Sequence, residues 1–207
     1  MTGAVVVVGA GGMGREAVDV ARAAGRRVVG VVDDGPSEHD LVRLARLDVP
    51  FLGGVDGWIA SGSTTPWVVG IGAPSVRRSI AARLAPLAPA APALVHPAAT
   101  LGSDVTLDVG TIVCAGARIS THVRIGRHVH LLANSATGHD VVIGDHVSIN
   151  PGAVVSGAVT VGRDSLVGAG STVLQQLRVG ERCVVAAAAC VVRDVADDLV
   201  VRGVPAR

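Results

Sequence analysis

His139 and Asp140 stand side by side in the stretch SATGHDVVIGDHVSINPG, Ser135 to Gly152. An imidazole is the usual side chain for taking a proton near neutral pH, because its pKa lies close to the working range. A neighbouring carboxylate holds the ring in one tautomer and stabilises the imidazolium. Residue type alone does not single out this histidine. His122, His128, His130 and His146 lie in the same region, and each reads equally as a solvated surface residue. His128 and His146 are 18 apart, which makes them stacking neighbours, a pH-sensitive surface pair or the site itself. A second motif lies near the start of the chain. Gly9, Gly11 and Gly14 form Gly-x-Gly-x-x-Gly within GAGGMG, and Asp33 follows about twenty residues later. Such glycines let the backbone approach a phosphate at a helix N-terminus.

Composition removes several other chemistries. All 18 basic residues are Arg, so neither a Schiff-base lysine nor a P-loop lysine is present. Net charge is +1 and aromatics make up 1%, Phe51, Trp58 and Trp67 with no Tyr. No field draws nucleic acid or an anionic membrane, and no ring platform stacks single-stranded bases. Cys114, Cys183 and Cys190 lack metal or redox spacing, and no metal is expected. The apolar run AVVVVGAGG is too short for a leader or a membrane span, and a cytoplasmic protein is expected.

Two regions with different periods must position these motifs. AVVVVG reads as a buried parallel strand, REAVDVARAAG as a helix, and RRVVGVV as a second strand ending at Asp33-Asp34. PWVVGIG (66–72) reads as a third strand, and PSVRRSIAARLAPL as a helix. Pro86, Pro89 and Pro92 mark a linker near 86–95. Beyond it one rule holds. In steps of six from Leu101 to Val191, 15 of 16 positions are Leu, Ile or Val. Thr137 is the exception, two residues before His139, and is expected to turn inward where the backbone leaves the ladder. A hexapeptide period is the mark of a parallel β-helix. A dehydrogenase built on the Gly motif fails on space, because the repeats begin before a doubly wound fold is complete.

GAGGMG, Asp33-Asp34, His96-Pro97, the hexads and the terminal VVRGVPAR together resemble the bacterial sugar acetyltransferases, of the sialic-acid O-acetyltransferase and UDP-4-amino-sugar N-acetyltransferase type. The resemblance runs end to end. It implies an α/β Rossmann-like domain (1–94) that binds a nucleotide-sugar, followed by an all-β left-handed parallel β-helix (95–207) with three hexads per coil. It implies transfer of acetyl from acetyl-CoA to the amino group of a nucleotide-activated sugar. In this family the motif matching His139 supplies the general base and the acidic residue after it, here Asp140, assists. Coenzyme contacts carry over to Gly157, Ala169 and Ala187, and nucleotide-sugar contacts to Gly9, Gly11, Gly12, Met13, Asp33, Asp34, Gly72 and Ser148. Three positions depart from the family. Met13 and Ser148 replace frequent histidines, and Ala187 replaces a frequent glycine. The family also implies a homotrimer, with each site built by two chains. Two alternatives follow from the departures: O-acetylation of a free sugar or small hydroxyl metabolite, and a non-catalytic β-helix binding or assembly subunit.

Overall fold

The computed structural model describes residues 3–86 and 88–207. The N-terminal region is a three-stranded parallel sheet flanked by helices. Strand β1 (Ala4–Val8) is central, between β2 (Arg27–Val32) and β3 (Trp67–Val69). Alternation along a strand sends successive side chains to opposite faces. Val5 and Val7 therefore meet Ala17, Val18 and Ala21 of helix α1 (Gly12–Ala23), while Val6 and Val8 meet the opposite layer. That layer includes Trp58 of α3 (Val55–Ala60) and Ala81 and Leu84 of α4 (Pro74–Leu84). Helix α1 begins at Gly12, three residues before the expected Arg15. The segment between β2 and β3 holds two further helices, α2 (Glu38–Ala45) and α3.

From Leu94 onward the chain winds through short parallel strands on three faces. The first face carries seven strands, from Leu94–Val95 through His130–Leu131 and Ser148–Ile149 to Val200–Val201. The second carries six, among them Ala136–Thr137 and Val154–Val155. The third carries five, among them Val123–Ile125 and Val142–Ile143. Stacked partners such as His130 and Ser148 are 18 residues apart. The interior is a column of aliphatic side chains, among them Ile125, Ile143, Val161 and Val179. Thr137 does not break the ladder. It pairs in register with Ile119 and Val155, its carbonyl accepts from Ser120 N at 2.9 Å, and its side chain is buried in an ordinary inward position. Threonine is close to valine in shape, so the strand absorbs it.

The two regions meet along the first face. Leu94, Ile112 and Cys114 share a core with α1 and β1. Above it Arg77 of α4 is completely buried. Its Nη1 donates to Ile71 O (2.7 Å) and Gly72 O (3.2 Å) and lies 3.3 Å from His130 Nδ1. Its Nη2 donates to His146 O and to Ser148 Oγ at 2.9 Å. A guanidinium only donates, so His130 Nδ1 accepts and its Nε2–H donates to Val69 O at 2.9 Å. His130 is thereby fixed as the neutral ring. His128 and His146 stack with Trp67 in one parallel series, with centroids 5.3 Å apart for Trp67 and His128 and 5.2 Å apart for His128 and His146. His128 and His130 are thus not solvated surface residues, because the N-terminal domain covers their face.

Burial has a consequence for acid stability. It pushes His128 down to about 4, aided by His146, Arg77 and Arg127 and opposed by Asp145. His130 is held well below the ordinary 6.5, by burial first and Arg77 second. Burial and Arg77 also lower His146, against Asp164 and Asp145. A base whose folded pKa is depressed costs nothing above its unfolded value and costs progressively more below it. Stability should therefore be full above about pH 6.5 and decline toward pH 4, at up to about 1.4 kcal/mol per pH unit for each histidine. The depressed carboxylates Asp34, Asp40, Asp104 and Asp198 act only around and below 3.8, so this window belongs to the histidines. Thermal midpoints across this range check the slope, and His128→Phe, which retains a stacked ring, should flatten it.

Candidate functional site

His139 and Asp140 form the turn from the second face to the third. Asp140 adopts a positive φ of 58°, the left-handed conformation that Asp, Asn and His tolerate better than most residues. Its amide donates to Thr121 O one coil earlier, at 3.1 Å. This turn swings its carboxylate onto the ring beside it, and His139 Nδ1 lies 2.7 Å from Asp140 Oδ2. With Nδ1–H donating to the carboxylate, Nε2 is the unprotonated nitrogen. The imidazole is 63% exposed, as a base that must meet a substrate requires. On its other side the ring lies across Gly157, where a Cβ would come within 2.6 Å of Nε2. Only glycine admits the ring in this position.

Gly157 is on the same edge as His139, but Ala169 and Ala187 are not. They follow Val167 and Val185 at the turn from the first face to the second. A single chain therefore separates the residues expected to hold the coenzyme onto two edges. The backbone N–H groups of Gly157, Ala169 and Ala187 have no acceptor among the described residues. Ala169 and Ala187 are exposed, and Gly157 is half-buried.

The N-terminal motif builds a second concavity. Gly9, Gly11, Gly12, Met13, Asp33 and Gly72 surround it, about 310 Å³ in volume, at the N-terminus of α1. Gly11 caps α1 without a side-chain hydrogen bond, so the first-turn amides open toward this space. Gly14 makes the turn possible, since a Cβ there would strike Gly9 O at 1.8 Å. Asp33 braces the loop: its Oδ2 accepts from Ala10 N at 2.7 Å and its Oδ1 from Gly35 N at 2.9 Å. Asp34 faces away toward α3, accepting from Val55 N at 2.7 Å and from Arg83 at 3.0 Å. These contacts hold its carboxyl below the usual range, the Val55 amide foremost. Asp33 and Asp34 also line an adjoining apolar hollow with Val8, Val55, Ile71 and Ile80. Met13 lines the first concavity and packs partly against the α1 core.

Ser148 has a different position from the one its sequence register implied. It is buried beneath the Gly72 wall, donating to Gly72 O at 3.0 Å and accepting from Arg77. Its one O–H is spent on Gly72 and its oxygen faces Arg77, so it fixes the wall and does not line the concavity. Arg77, which the sequence reading did not select, organises this wall. Among the described residues no group of three or more His, Cys, Asp or Glu side chains is arranged to hold a metal ion. No helix among them is long and apolar enough to cross a membrane.

Residues 4–84 match the PglD N-terminal domain, and residues 122–157 match the bacterial transferase hexapeptide repeat. No curated protein matches the chain in sequence. Solved structures do match. Perosamine N-acetyltransferase from Caulobacter crescentus, crystallised as a histidine-to-asparagine variant with CoA and GDP-perosamine, has a TM-score of 0.90 at 27% identity, covering 100% of this chain and 97% of that one. The acetyltransferase domain of PglB from Neisseria gonorrhoeae, in complex with acetyl coenzyme A, has a TM-score of 0.88 at 28% identity, covering 100% and 99%. WeeI from Acinetobacter baumannii, at 23% identity and a TM-score of 0.86 over 100% and 99%, shares the fold. The solenoid is accordingly a left-handed parallel β-helix following a small α/β domain.

Proposed function

We propose that the chain, which joins a PglD-type N-terminal domain to a hexapeptide β-helix as its structural neighbours do, acetylates the amino group of a nucleotide-activated amino sugar, with acetyl-CoA as donor. The observation that carries this reading is the His139–Asp140 pair, exposed on a β-helix edge with Nε2 free. The sugar amine attacks the thioester carbonyl carbon as His139 Nε2 takes its proton. A C–N bond forms, the C–S bond breaks, and coenzyme A leaves as a thiolate that is then protonated. Asp140 holds the tautomer and stabilises the imidazolium. The open amides of Gly157, Ala169 and Ala187 fit a coenzyme held by backbone contacts, and such donors stabilise the developing oxyanion. The α1 N-terminus with Gly9, Gly11, Gly12 and Met13 fits the diphosphate of a nucleotide-sugar, within walls set by Asp33, Asp34, Gly72 and, from beneath, Ser148. A coenzyme-A thioester donor fits a cytoplasmic setting.

We place the complete site between copies of the chain. The N-terminal domain covers the first face, whereas His139 is on the edge between the second and third. The Gly-rich concavity and the base of one chain thus look in different directions, and a neighbouring chain must bring the missing half. Three copies around a closed axis give each base such a neighbour. Light scattering tests the mass, and a result of monomer alone under turnover conditions would remove this part.

Thiol release from acetyl-CoA against a panel of GDP-, UDP- and dTDP-amino sugars tests the reaction. Turnover with a nucleotide-amino sugar is the expected result. Turnover only with free sugars or hydroxyl acceptors would overturn the N-acetylation reading and leave the Gly-rich domain structural. Coenzyme binding without release on any acceptor would favour a non-catalytic subunit.

A further inference from the structure

Two edges of the β-helix carry the open amides of Gly157, Ala169 and Ala187, and each edge ends in an unpaired arginine. Arg193 follows Cys190–Val191, the last strand of the second face, at the turn toward Val195 on the third. That is the edge of His139 and Gly157, and the strand order of the second face places Arg193 three coils beyond His139 toward the C-terminus. Arg202 follows Val200–Val201, the last strand of the first face, on the edge of Ala169 and Ala187 and one coil beyond Ala187. Arg207 joins it there, because the backbones of Arg202 and Arg207 pair in both directions at 3.1 Å.

The side chains of Arg193, Arg202 and Arg207 are exposed and make no hydrogen bond or ion pair among the described residues. The neighbouring arginines differ. Arg163 pairs with Glu181, Arg178 with Asp197, and Arg182 with Glu181 and Asp198, on the third face or its turn to the first. Asp194, although next to Arg193, accepts from Arg178 N at 2.8 Å. The carboxylates of this end are thus engaged on another side of the prism, and the edges that flank the second face keep positive charge without a counterion.

Spacing says what that charge can meet. Adjacent strands are about 4.8 Å apart, so three coils separate Arg193 from His139 by about 14 Å along the axis. The pantetheine arm of coenzyme A, from thioester sulfur to diphosphate, has about twelve bonds, the backbone length of about four residues, and spans about 14 Å when extended. A thioester held at His139, with its arm running past Gly157 toward the C-terminal coils, brings its diphosphate to the level of Arg193. Arg202 and Arg207 stand at the same end of the β-helix, on the other donor edge.

Resting on the acetyltransferase reading above, we propose that Arg193, together with Arg202 and Arg207 at the end of the Ala187 edge, binds the phosphoryl groups of coenzyme A. Guanidinium forks suit phosphate oxygens, and backbone amides are left to hold the uncharged arm. These residues specify the donor as a free coenzyme-A thioester. A thioester on a carrier protein's phosphopantetheine arm brings no adenosine phosphates to them.

Calorimetric titration of the full-length protein with CoA tests the contact without any acceptor. In Arg193→Ala, CoA should bind about five- to tenfold more weakly, the scale of a charge-assisted hydrogen bond partly open to solvent. Arg202→Ala should weaken it about threefold, and Arg193→Lys should recover part of the loss. Raising salt from about 0.05 M to about 0.5 M should weaken wild-type binding and narrow its lead over the variants, because exposed charges are screened. In turnover, KM for acetyl-CoA should rise in proportion, with kcat and KM for the sugar within about twofold. The side chains are exposed and unpaired, so thermal midpoints should hold. Undiminished CoA binding in the Arg193→Ala, Arg202→Ala double variant would overturn the inference, as would a loss of equal size at both salt concentrations, the mark of a merely structural role. A wild-type chain that binds no CoA would defeat the acetyltransferase reading itself, whereas tight binding indifferent to these arginines defeats this inference alone.

Discussion

His139→Ala should lower kcat by at least about 100-fold, within the range of about 10² to 10⁴ that a positioned general base supplies. The acetyl-CoA dissociation constant should change little, because the coenzyme contacts assigned here are made by other residues. The geometry makes this a clean substitution. The ring is mostly exposed, its hydrogen bond is to Asp140, and its chief neighbour is Gly157. Removing it opens no core cavity and leaves no buried donor unpaired, so stability should stay within about 0.5 kcal/mol of wild type. Loss of activity can therefore be assigned to chemistry. Asp140→Asn should give a smaller loss, since the amide still contacts Nδ1 but favours no single tautomer. Stopped assays of thiol release under saturating acetyl-CoA and sugar decide the matter. A His139→Ala variant that turns over at the wild-type rate would remove the base from the mechanism.

How far the sequence foretold this site depends on the range of the interactions involved. The β-helix was legible because its period is a direct copy of its geometry: each hexad supplies one inward aliphatic residue, and 18 residues return the chain to the same face. The His139–Asp140 contact was legible because it is made between adjacent residues. The turn at Gly9–Gly14 was legible because it needs specific glycines at fixed spacing. Helix α2 had a local signature that went unread: Ser37 accepts from Asp40 N at 3.1 Å and donates to its carboxylate at 2.6 Å, a cap spelled by SEHD. The seam left no such trace. Arg77 looks like any arginine on a surface helix until His130, 53 residues on, and Ser148, 71 residues on, are brought against it. The same long-range closure turned His128 and His130 from expected surface residues into buried ones and engaged Ser148 internally. Thr137 misled in the opposite sense, because a change of residue type at one repeat produced no change of backbone.

Arg77→Ala should cost about 3–5 kcal/mol of stability, the range for removing one partner from a buried, charged hydrogen-bond network. The argument is an accounting of acceptors. Ile71 O, Gly72 O, His146 O, His130 Nδ1 and Ser148 Oγ all face this guanidinium. Burial lowers its pKa to about 9, so at neutral pH it remains protonated and supplies every one of those donors. Alanine leaves the acceptors without them and adds a cavity at the junction of α4 and the first face. Lysine is not a conservative replacement, because a single ammonium cannot span acceptors on both sides of the seam. Arg77→Lys should therefore recover only part of the loss. Chemical denaturation followed by tryptophan fluorescence reads the result directly, since Trp67 lies in the same seam and stacks on His128. The functional consequence runs through Gly72. Its carbonyl is held by both Arg77 and Ser148, and its residue lines the concavity at the α1 N-terminus. In whatever fraction of Arg77→Ala remains folded, KM for the nucleotide-sugar should rise more than KM for acetyl-CoA. A variant with wild-type stability would show that the seam is held by its apolar contacts alone, with the guanidinium incidental to it.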